Sequence, residues 1–78
     1  MNAKQRKELS EHISKHEEIK SALETMKENE ESKLDNMPEG LQESERGEKM
    51  QEGIDQLEYA NDNLQDAIDN LQGIIDNA

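Results

Sequence analysis

Between Met50 and Ile75 the apolar side chains stand at Met50, Ile54, Leu57, Leu64, Ile68, Leu71 and Ile75, with Asn61 in the one slot left over. The steps alternate between four and three, so the pattern repeats every seven residues and holds one stripe along an α-helix. The blocks GIDQLEY, ANDNLQD and AIDNLQG align by that repeat. A long helix over about residues 44–77 is predicted, with a single sticky seam. A second, narrower pattern runs through Leu9, Ile13, His16, Ile19, Leu23, Met26 and Leu34, and Glu30 interrupts it. It predicts a helix over about residues 3–34, opened by a capping pair of Asn2 and Gln5.

Residues 35–43 separate the two patterns. Met37 precedes Pro38, which disfavours helical backbone at that position, and Gly40 loosens the chain further. Ser44 is the expected N-cap of the second helix, with Glu45 and Glu48 at its positive end. The predicted fold is all-α: one domain over residues 1–78, an antiparallel two-helix hairpin with a coiled-coil-like seam. Such a hairpin places Leu34 near Met50, Leu23 near Asn61, His16 near Ile68 and Leu9 near Ile75. Met37 and Leu41 are expected to plug the open end of the hairpin. At the other end Lys4, Arg6 and Lys7 come beside Asp69 and Asp76, in exposed pairs worth about 0–1 kcal/mol each.

Composition changes the picture in two ways. The chain has no Phe, Trp, Val or Cys and one Tyr, so its apolar positions are few for 78 residues. A lone hairpin leaves its seam partly wet, and stability is expected from self-association or from a partner. A homodimer is expected to run through Ile54, Leu57, Leu64, Ile68 and Leu71, giving a helical bundle. Charge is the second. Twenty acidic against nine basic residues give a net charge of −11, and no Lys or Arg follows Lys49. Phosphate binding needs clustered cations, so direct contact with nucleic acid or an anionic membrane is not expected. No apolar run spans a bilayer, and the basic N-terminus lacks the apolar stretch of a secretory signal. The expected location is the cytoplasm.

Chemistry is sparse. His12 and His16 are one helical turn apart, with Glu8 a turn earlier, but no third strong ligand accompanies them. They are read as solvated or seam-edge histidines, and no metal or cofactor is expected. No nucleophile has a base beside it and no acid pair sits in an apolar pocket, so an enzyme is not expected. Asn61 interrupts a column of isoleucines, where a polar residue fixes register or oligomeric state at a cost in stability. Gly53, Ala60, Ala67 and Ile74 flank the seam and let another helix approach. Glu52, Asp55, Glu58, Asp62, Asp66, Asp69 and Asp76 form an acidic face about 36 Å long. It suits a cationic groove made for nucleic acid, and equally serves as a solvated surface.

The string DNMPEGLQESERGEKMQ over residues 35–51, running on into the AIDNL-type repeats, resembles short acidic proteins of unknown function encoded by bacteriophages and bacterial mobile elements. The resemblance covers about residues 35–78. It implies a bacterial host cell and a mobile-element setting, in which small acidic proteins include anti-CRISPR and anti-restriction inhibitors. Two functions are therefore expected to compete. One is a non-enzymatic inhibitor that presents its acidic helix to a basic surface on a CRISPR or restriction nuclease. The other is an oligomerisation or adaptor module that offers its seam to a partner coiled coil.

Overall fold

The computed structural model describes residues 1–77 and is all-helical. Helix α1 spans Ala3–Asp35, α2 Glu39–Gln42 and α3 Glu45–Asp76. The two long helices pack side by side as an antiparallel hairpin of 58 × 14 × 13 Å. Ala78, the last residue of the expected domain, lies outside the described residues.

Local signals set the ends. The Asn2 side chain accepts from the Gln5 backbone amide at 2.8 Å, and Gln5 accepts from the Asn2 amide at 3.2 Å, a reciprocal capping box. Ser44 caps α3 by accepting from the Gly47 amide at 3.4 Å. The segment expected as a loop contains α2, a single turn between Pro38 and Glu43. Its purpose is visible in Gln42, whose Nε2 donates to the carbonyls of Leu34 and Met37 at 3.0 Å each. The first belongs to the last turn of α1, where carbonyls lack helical partners, and the second lies just past its end. Gly47 is buried where α2 turns into α3, and a Cβ there would run into the Gln42 backbone. Of the two expected plugs, Met37 is half-buried and Leu41 is exposed.

Written as heptads a to g, the inward positions of α3 are Ile54, Asn61, Ile68 and Ile75 at a, with Met50, Leu57, Leu64 and Leu71 at d. Every one is buried or half-buried. The inward positions of α1 are Ile13, Lys20, Lys27 and Leu34 at a, with Leu9, His16, Leu23 and Glu30 at d, again all buried or half-buried. This corrects the expected α1 face. Ile19 and Met26 are 51% and 54% exposed, and lysines occupy the seam positions next to them. The reason is the strict four-three step set by packing against α3, which passes through residues 20 and 27. A lysine tolerates the place because its aliphatic stem lies along the seam while the ammonium reaches water.

The core is correspondingly small. Ile13, Ile54 and Ile68 are its buried apolar side chains. Ile54 and Ile68, expected at a homodimer seam, are buried against α1 within the hairpin. The expected pairing of Lys4, Arg6 and Lys7 with Asp69 and Asp76 is absent. Among the described residues the ion pairs lie within single helices: Lys27 with Glu31, Lys33 with Glu30 and Lys49 with Glu45. Arg6 instead donates to the Met1 carbonyl at 2.9 Å. An exposed pair gains too little to hold two long side chains together.

Candidate functional site

The seven carboxylates of the acidic face fall on the side of α3 turned away from α1, with one exception. Asp55, Asp62, Asp69 and Asp76 form one column at position b, and Glu52 and Asp66 form another at f, with Tyr59 between them. All are exposed apart from half-buried Asp55. The columns have no cation beyond Lys49 to neutralise them. Glu58 is the exception. It sits at e, on the edge facing α1, and acts on Lys27. Partial burial works against the Lys27 ammonium, but Glu58, Glu31 and Glu24 outweigh it and hold its pKa above the usual 10.5.

Three aspartates of the b column are held in place. Gln51 Nε2 donates to Asp55 Oδ1 at 2.9 Å, Gln65 to Asp69 at 2.9 Å, and Gln72 to Asp76 at 3.0 Å. The donor stands four residues before its acceptor, the spacing at which helical side chains meet. Because glutamine is neutral, each carboxylate is oriented without losing its charge. The ladder repeats every seven residues and skips Asp62, where the donor position holds Glu58. The glutamines escaped the sequence analysis, although a Gln four residues before each of three aspartates was there to be read.

Asn61 is 5% exposed and central to the seam. Its Nδ2 donates to Glu24 Oε2 at 3.0 Å, beside Leu23 as the hairpin register requires. Its Oδ1 is buried and has no hydrogen-bond partner. With Lys20, Glu24, Lys27 and Glu58 it forms a polar band across the middle of the hairpin.

The two flanks of the hairpin differ. Where the e positions meet, Glu17, Lys20, Ser21, Glu24, Thr25 and Gln65 line a polar groove. Where the g positions meet, Met26, Met50, Gly53 and Leu57 line a mostly apolar one, with Glu30, Glu45, Arg46 and Lys49 at its end. Ala60 and Ala67 continue this second flank half-buried, and Ile74 continues it 43% exposed.

His16 is half-buried at the seam, and its Nδ1 lies 2.7 Å from the His12 carbonyl; His12 is exposed. Among the described residues no group of three or more His, Cys, Asp or Glu is placed to hold a metal ion. No described helix is long and apolar enough to cross a membrane. Comparison with protein-family models, with curated proteins and with solved structures returns no match for this chain.

Proposed function

We propose that the chain is a non-enzymatic inhibitor. Its acidic helix would occupy a Lys- and Arg-lined surface of a host nucleic-acid enzyme, of the CRISPR or restriction class, and keep DNA or RNA out. The observation that carries this reading is the ladder of Asp55, Asp69 and Asp76, each carboxylate oriented by a glutamine and left without a cation. On a face that only solvates the chain such bonds add a little helix stability, about 0.2–0.5 kcal/mol each. A face that docks gains affinity from them, because less side-chain freedom is lost on binding. Seven carboxylates over 36 Å give about one per 6 Å of axis. That is sparser than the roughly 3.4 Å per charge of one DNA strand. The match sought is therefore to scattered cations along a groove, with association sped by charge and weakened by salt. The bacterial cytoplasmic target is part of the same proposal and comes from the expected resemblance of residues 35–78 to phage-encoded proteins.

The test is a pull-down from bacterial lysate at low and high salt, followed by affinity measurements on the captured enzyme. A variant with Asp55, Asp62, Asp69 and Asp76 all changed to Asn keeps side-chain size and removes four charges. It should remain helical and bind at least tenfold more weakly at low salt, with a flatter salt dependence. Parent-like binding by the folded variant would remove the acidic helix from the mechanism. A partner that resists salt would favour the adaptor reading, which the exposed apolar flank supports.

A further inference from the structure

We infer that the apolar g flank is the interface for a second copy of this chain. The dimer would be a four-helix bundle whose two-fold axis runs parallel to the helices, each α1 lying on the partner's α3.

Shape supports this arrangement first. In the antiparallel register that sets Leu23 beside Asn61, Ile19 stands within a turn of Ala67, and Met26 stands within a turn of Ala60 and lines the groove with Gly53. The middle of the flank is thus a ridge of large side chains, Ile19 and Met26, on α1 beside a trough of small ones, Gly53, Ala60 and Ala67, on α3, with Ile74 beyond its end. An axis parallel to the helices carries each ridge onto the other copy's trough at the same height, which an isologous interface requires. An axis across the helices would instead set ridge on ridge and trough on trough. Charge selects the same axis. Helix α1 holds nine acidic and seven basic residues, whereas α3 holds nine acidic and two basic. Stacking α1 on α3 avoids the repulsion of two α3 helices face to face.

Area agrees with the shape. A globular monomer of 8.9 kDa exposes about 4,800 Å². This chain exposes 5725 Å². The excess, about 900 Å², follows from the rod shape of the hairpin, and it leaves room for the roughly 800 Å² that each partner gives to a standard interface. The polar e flank, lined by Glu17, Glu24 and Gln65, offers no comparable surface. The inference does not depend on the proposed inhibition, because the b and f columns of both copies stay outside the bundle.

The wild-type chain should sediment as a dimer at micromolar concentration. Ile19→Gln with Met26→Gln alters two side chains already exposed in a single hairpin. It should weaken the dimer at least a hundredfold. A wild-type monomer at all concentrations, or an undiminished dimer in the variant, would overturn the inference. Should that variant fail to fold, a second one decides. Ala22→Cys with Asn63→Cys places thiols at exposed c positions, in a chain without cysteine. Within one hairpin these positions lie on opposite outer edges, beyond the roughly 7 Å Cα separation that a disulfide bridges. Across the proposed axis they face each other. Mild oxidation should give a covalent dimer with unchanged helicity, while Ser21→Cys with Asp62→Cys on the polar side should not. Equal cross-linking of the two pairs, or none in the first, would exclude this geometry.

Discussion

At the scale of single residues, Asn61 concentrates the conflict between stability and specificity. One of its polar atoms is satisfied by Glu24 and the other is orphaned in the seam. An unmade hydrogen bond at a buried acceptor costs about 1–3 kcal/mol. Asn61→Ile removes that cost and continues the column of Ile54, Ile68 and Ile75, while exposed Glu24 returns to water. Chemical denaturation should show the variant more stable by about that amount. Unchanged or lower stability would mean that the orphaned oxygen costs nothing in the native protein. Loss of a single oligomeric state would accompany the gain if Asn61 also holds register.

Among the elements, α3 was legible in the sequence and α1 only partly so. The seam of α3 is apolar at every inward position but one, so periodicity alone assigns its face. The seam of α1 contains Lys20, Lys27 and Glu30, and hydrophobicity pointed instead to Ile19 and Met26. What sets the phase of α1 is the partner helix, which a pattern read within α1 does not contain. Helix α2 was missed for another reason. A single turn beginning after Pro38 has no periodicity, and its anchor is the long-range bond from Gln42 to the end of α1. In the structure the acidic columns lie on the outer side of α3, and Glu58 belongs instead to the edge beside Lys27. That pairing makes a prediction. The Lys27 pKa is raised in the folded chain, so its stabilisation is complete below the unfolded value near 10.5. It is lost as pH rises through the higher folded value. Thermal unfolding of wild type and Lys27→Met at several alkaline pH values should show wild type losing stability more steeply above pH about 10.5. Parallel curves would remove Glu58 and its neighbours from the account of Lys27.

For the whole molecule, elongation decides what association looks like. The radius of gyration is 17.5 Å, against about 11.5 Å for a compact domain of this length. Two rods set side by side at an interaxial distance of about 8–10 Å add almost nothing to that value. Small-angle scattering on dilution should therefore show mass halving while the radius of gyration falls by less than about 2 Å. A large change in radius would indicate end-to-end association and would exclude the lateral bundle.

Tyr59 gives the acidic face an optical handle. It is the one aromatic residue of the chain, 59% exposed, and it stands on the f column one heptad after Glu52 and one before Asp66. Near-ultraviolet absorption and emission therefore report on a single point in the middle of that face. The apolar flank lies on another side of α3, so pairing of two copies leaves the phenol in water. A cationic surface laid along the carboxylates has to pass over it. One intrinsic fluorophore thus separates the two surfaces without a label, silent to self-association and responsive to a docked target.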